Sequence, residues 1–154
     1  MKEIFTIGYV SYQPEEMAKV LRSFGVSCLV DVRSNPHSAY YTQFNKEVLS
    51  DELKKYGILY RNYWLEFGAR QEDPRYYTKE GYLDFSLYTQ SEQFQQGVEK
   101  IEQGMQLGYV FSLMCAEKDP MTCHRAIMIG KALKEQGFAV KHIIYPDRIE
   151  TQTT

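Results

Sequence analysis

The sequence predicts an α/β fold, a single three-layer α/β/α domain around a mostly parallel sheet. Three observations predict it. A strand–helix–strand unit opens the chain, a second one closes it, and the inner strands of both units are apolar runs without alternation.

Taken in order, "EIFTIG" predicts a short strand stopped at Gly8. "PEEMAKVLRSFG" predicts a helix, with Pro14 at its first position, acidic residues in its first turn and Gly25 as its stop. Met17, Val20, Leu21 and Phe24 share one face of it. "VSCLVDV" is a nearly continuous apolar run, the pattern of a strand covered on both faces. Strand, helix and strand within about thirty residues form a βαβ unit, with parallel strands and a right-handed crossover. "NKEVLSDELKKYG" predicts a helix that leads into the short strand "ILYRN". The stretch from Trp64 to Tyr88 has no clean periodicity and is rich in aromatics, glycine, proline and charge. It predicts an excursion over the sheet, helical in part near Tyr82 to Tyr88.

"SEQFQQGVEKIEQG" then predicts an amphipathic helix capped by Ser91. The strand "LGYVFSLM", the helix "CHRAIMIGKALKEQG" closed by Gly137 and the strand "FAVKHIIY" repeat the opening pattern. The domain is expected to span residues 1–149, with a flexible tail at 150–154.

A chain of 154 residues fits one domain, which buries roughly two thirds of its unfolded surface. The net charge of −2 carries no basic or acidic tail, so global electrostatics give no case for nucleic acid or an anionic membrane. No apolar run approaches the length of a membrane span, and "MKEIFTIGY" has no signal-peptide core, so a cytoplasmic location is expected. Three cysteines in a chain of this length predict reduced thiols. Thirteen tyrosines, most of them between Tyr40 and Tyr88, suit the wall of a pocket or a second core layer whose hydroxyls reach water.

In a parallel sheet, ligands bind beyond the carboxyl ends of the strands, and three polar clusters fall there, so that Arg33, Arg125 and Cys115 are expected to line one common hollow. Thr6, Gly8 and Tyr9 follow the first strand, and Asp31 and Arg33 follow the second. Cys115 and Glu117 follow the fourth, with Cys123, His124 and Arg125 at the start of the next helix. That helix is capped by Asp119, with Pro120 at its first position, or by the rival cap Thr122. Either start sets Cys123, His124 and Arg125 in the first turns, where free N–H groups and the helix dipole favour an anion. Arginine grips phosphate or carboxylate with paired hydrogen bonds, and the same field makes a cysteine thiolate available. Asp31 is able to orient an arginine, cap a loop or act as a base. The bland alternatives are a buried Asp31–Arg33 pair that holds its loop, and a Cys123 that packs in the core. Cys28 and His142, both within strands, are assigned to structure.

Cys115, Cys123 and His124 are chemically able to hold zinc, but their spacing matches no strong zinc pattern and no metal is expected. No G-x-G-x-x-G, P-loop or G-x-S-x-G motif is present, and no cofactor is expected.

"TIGY", "GVSCLVDVRSNPHS", "YGILY", "CAEKDPMTCHR" and "LKEQGFAVKHI" together resemble the bacterial and archaeal family known as Domain of Unknown Function 488. The resemblance implies an α/β fold and signature positions at Thr6, Gly8, Asp31, Arg33, Pro36, Cys115, Glu117, Cys123, His124 and Arg125, but no reaction. The family's opening motif commonly reads Thr-Ile-Gly-His-Ser, whereas Tyr9 and Val10 follow Gly8 here. Its central Leu-Gly-Gly pattern stands as Phe67-Gly68-Ala69.

The residues thus lead to an enzyme, by hydrolysis or group transfer, acting on a small phosphorylated or nucleotide-like substrate. Thr6, Gly8, Tyr9, Arg33, Cys123 and Arg125 are expected to hold the anion, with Glu117 or His124 moving protons and Asp31 orienting a neighbour. Two alternatives stand beside it. The first is rhodanese-like or phosphatase-like thiol chemistry through Cys115, with Arg125 as the anion holder. The second is a non-catalytic ligand or nucleic-acid binding module that uses the aromatics for stacking.

Overall fold

The computed structural model describes residues 2–33, 36–67, 74–81, 83–115 and 124–152, with the backbone alone at residues 64 and 124–128. Its elements run β1 (Lys2–Gly8), α1 (Pro14–Ser23), β2 (Cys28–Asp31), α2 (Lys46–Lys55), β3 (Leu59–Asn62), α3 (Trp64–Phe67), α4 (Phe85–Tyr88), α5 (Glu92–Gln106), β4 (Phe111–Cys115), α6 (His124–Glu135), β5 (Phe138–Ile144) and β6 (Arg148–Thr151). Short 3-10 turns at Thr42–Phe44 and Pro74–Tyr76 complete the described set.

The local chemistry places these elements. Pro14 opens α1, and Glu16 Oε1 accepts from the Gln13 backbone N–H at 2.9 Å, which satisfies a donor left free by the helix start. Ser91 Oγ accepts from Phe94 N at 3.1 Å, so the predicted cap of α5 holds. Gly25 (φ 81°) and Gly137 (φ 93°) end α1 and α6 in the left-handed region that favours glycine. The stretch after Trp64 carries α3 and α4 and contributes Phe67 and Tyr88 to the core.

The sheet order is β3-β2-β4-β1-β5-β6, with β6 antiparallel to β5 and all other pairs parallel. Met17, Ala18 and Leu21 of α1 and Leu49 and Leu53 of α2 pack on one face against Phe5, Ile7, Leu29 and Met114. Phe94, Val98 and Ile101 of α5 and Ile129 and Leu133 of α6 pack on the other against Ile4, Val30, Leu113 and Val140. The result is the expected three-layer α/β/α architecture.

One expectation differs at the end of the chain. Glu150 and Thr151 belong to β6 and pair with His142 and Lys141, and Gln152 N donates to Val140 O at 2.9 Å. The flexible tail expected from residue 150 is therefore a paired edge strand through Thr151. Its four residues are all exposed, so it carries no apolar signal that sequence periodicity detects.

Candidate functional site

The connections out of β1 and β4 create the site. β1 and β4 are neighbours, with Gly8 in register with Cys115. From β1 the chain runs through α1 to β2, on the far side of β4; from β4 it runs through α6 to β5, on the far side of β1. The two connections leave in opposite directions and over opposite faces, since α1 and α6 belong to different packing layers. That is a topological switch point, the place where open α/β sheets form ligand crevices beyond the strand ends. Tyr9 N donates to Cys115 O at 3.1 Å and Val32 N to Met114 O at 3.4 Å, which prolongs the pairing past the ends of β1 and β2.

On the α1/α2 face lies a buried polar cluster. Asp31 is 0% exposed and Arg33 4% exposed. Arg33 Nε lies 3.0 and 3.1 Å from the two Asp31 oxygens, and Nη2 donates to Asp31 Oδ2 at 2.8 Å and to the Phe44 carbonyl at 2.7 Å. The Arg33 backbone N–H donates to Asp31 Oδ1 at 3.0 Å, and Tyr60 Oη donates to Asp31 Oδ2 at 2.5 Å. The Arg33 guanidinium also lies 5.0 Å from the centre of the Tyr9 ring, which itself packs 4.8 Å from Phe44. Burial works against the arginine charge, but the Asp31 hydrogen bonds and charge, with help from Tyr9, raise its pKa above the ordinary value. Burial, then Asp31, pushes the Tyr60 hydroxyl well up, so it remains a donor. Asp31 and Arg33 thus form the buried pair that the sequence offered as the bland alternative, and the arrangement ties the loop after β2 to the 3-10 turn at Thr42–Phe44. Arg33, expected to hold a substrate anion, directs Nε and Nη2 inward to Asp31 and Phe44.

The α6 face carries a different set. Strand alternation turns Thr6, Gly8 and Cys115 to the side of Ile4 and Leu113, and His142 to the side of Val140. Cys115 is 4% exposed and stands in no disulfide. The expectation that Arg33 and Cys115 share one hollow is therefore corrected: they flank the switch point from opposite faces of the sheet, because Asp31 is in register with Met114 rather than with Cys115. His124 and Arg125 begin α6, which places their backbone at this face. Glu117 and Cys123, and the proposed caps Asp119 and Thr122, lie outside the described residues.

The sequence did not single out Tyr60 or the Phe44 carbonyl for this site, and no local signal marks them. His142, assigned to structure, is buried, with Nδ1 2.6 Å from Thr6 Oγ1 and Nε2 2.9 Å from Gln152 Oε1. Cys28 is a core thiol, its pKa pushed up to about 11 by burial. His37 pairs with Glu47 at 3.1 Å on the exposed surface.

Burial lowers the His142 pKa below its ordinary 6.5, with the Gln152 hydrogen bond and Glu150 opposing. The unfolded chain then binds the proton more tightly, so the stability tied to neutral His142 is complete above about pH 6.5 and is lost as pH falls toward the folded value. Urea denaturation at pH 7.5 and 5 is expected to show a smaller acid-induced loss in His142→Asn than in the wild type. An equal loss in both contradicts this assignment.

A family model described as Domain of unknown function DUF488 matches residues 13–131. The chain belongs to that family. No curated protein and no solved structure gave a match. The DUF488 match begins after β1 and ends within α6, so it takes in Asp31, Arg33 and Cys115 as well as the region from Glu117 to Arg125. Among the described residues of this DUF488 chain, no helix is long and apolar enough to cross a membrane.

Proposed function

We propose that this DUF488 chain is an enzyme, a hydrolase or group transferase, that acts on a small phosphorylated or nucleotide-like substrate bound at the β1/β4 switch point. One observation carries the reading: adjacent strands send α1 and α6 over opposite faces, the arrangement at which open α/β sheets form a ligand crevice at their carboxyl edge. The start of α6 borders that crevice, and a helix start favours an anion through its free N–H groups and dipole. Arg125, the second residue of α6, takes the role of anion holder. The Asp31–Arg33 clamp fixes the opposite wall rather than gripping the substrate. Glu117 or His124 moves the proton.

A thermal-shift series with inorganic phosphate and nucleoside monophosphates tests this reading. At a ligand concentration about a hundredfold above Kd, binding adds roughly 2.7 kcal/mol, a rise of about 5–10 °C for a chain of this size. Arg125→Ala is expected to abolish the rise. No response to any probe removes the support for an anion site. Rapid alkylation of Cys115 alone, without a nucleotide response, favours thiol chemistry instead. A salt-sensitive gel shift with oligonucleotides and no turnover favours a binding module.

A further inference from the structure

The roles assigned above leave His142 unused, although it links Gln152, just past β6, to Thr6 of β1. Gln152 Oε1 lies 2.9 Å from His142 Nε2. A carbonyl oxygen only accepts, so Nε2 carries the proton. A neutral imidazole has a single N–H, which leaves Nδ1 as an acceptor. Thr6 Oγ1 is 2.6 Å from Nδ1, and the Thr6 hydroxyl is therefore the donor in that contact. Burial of His142 favours the neutral ring that this chain of contacts requires.

The position of Gln152 is built into the fold. Its backbone N–H donates to Val140 O, which continues the β5–β6 pairing past Thr151. Its amide lies against Gly130 of α6, where a Cβ would stand 2.3 Å from Oε1. A mid-helix glycine costs roughly 0.5–1 kcal/mol relative to alanine. Here it gives the Gln152 amide room to reach His142. Gly8 matters in the same way at the other end. Thr6 is only 3% exposed. With no side chain on Gly8, it is nonetheless the first side chain on this face of β1 below the strand end.

We infer that His142, oriented by Gln152, is a positioning residue that commits the Thr6 proton inward and presents Thr6 to the crevice as a hydrogen-bond acceptor, so that the substrate group meeting Thr6 is a donor, a hydroxyl or an amine. This rests on the crevice being the substrate site. It also revises the expectation that Thr6 helps to hold an anion, since an ionised phosphate oxygen offers no proton to an acceptor. The anionic part of the substrate belongs at the start of α6, and the hydroxyl-bearing or amine-bearing part belongs against Thr6.

Two measurements test this together. Long-range 1H–15N correlation spectra of the imidazoles at neutral pH are expected to show His142 as the Nε2–H tautomer, a preference weakened in Gln152→Ala. Thermal shifts with adenosine monophosphate and with inorganic phosphate then compare wild type, Thr6→Val and Thr6→Ser. Thr6→Val is expected to weaken adenosine monophosphate about tenfold, the scale of one lost hydrogen bond, while leaving phosphate unchanged, and Thr6→Ser to restore it. An Nδ1–H tautomer, or an adenosine monophosphate response untouched by Thr6→Val, overturns the positioning role and leaves the crevice as the substrate site. An Nε2–H tautomer with no response of the wild type to either probe refutes the crevice reading, and the donor assignment falls with it.

Discussion

Asp31→Ala is expected to lower the stability of the folded chain by about 3–5 kcal/mol, because it leaves the Arg33 guanidinium buried without its counter-charge. Arg33 is held by Asp31 through Nε, Nη2 and its backbone N–H, and Tyr60 donates to the same carboxylate, so a single change strands donors on two buried residues. Urea denaturation at neutral pH measures the loss. The double variant Asp31→Ala/Arg33→Met removes the stranded charge along with its partner and is expected to recover a large part of it. If the single variant loses less than about 1 kcal/mol, the pair behaves like a solvated surface bridge and the clamp description is wrong.

Phe44→Ala is expected to cost about 3–5 kcal/mol, the usual range for truncating a buried phenylalanine. Phe44 is fully buried, packs on Tyr9 and presents its carbonyl to Arg33 Nη2, so the cavity opens directly beneath the clamp. Tyr40→Ala, at a residue 92% exposed a few positions earlier, serves as the control and should stay within about 0.5 kcal/mol of the wild type. Similar losses in both variants, read from the same denaturation curves, contradict the placement of Phe44 in the core.

Much of the fold is legible in the sequence for physical reasons. Pro14, Ser91, Gly25 and Gly137 act through local backbone chemistry, and their effects on helix starts and stops are visible without tertiary context. The strands "CLVD" and "FSLMC" are buried on both faces, which makes them easy to find as apolar runs. The same property hides the face to which each residue turns. With no alternation between polar and apolar positions, only the pairing register assigns Asp31 to the α1/α2 side and Cys115 to the α6 side. That is why a single hollow holding both Arg33 and Cys115 looked reasonable from spacing alone. β6 escaped for the opposite reason: an exposed edge strand needs no apolar residues, and its pairing with β5 is set by the turn before it. Tyr60 and Gln152 join their clusters across 29 and 10 positions of chain, through contacts that no local pattern encodes.

The central claim is the ligand position, and amide chemical-shift mapping with inorganic phosphate and adenosine monophosphate tests it most directly. The predicted result is a cluster of perturbed amides at Gly8, Tyr9, Val32 and Cys115 and at the His124–Arg125 start of α6. Perturbations centred on the groove between α4 and α6, lined by Ser86, Gln90, Lys131 and Glu135, or no perturbation at all, would contradict it.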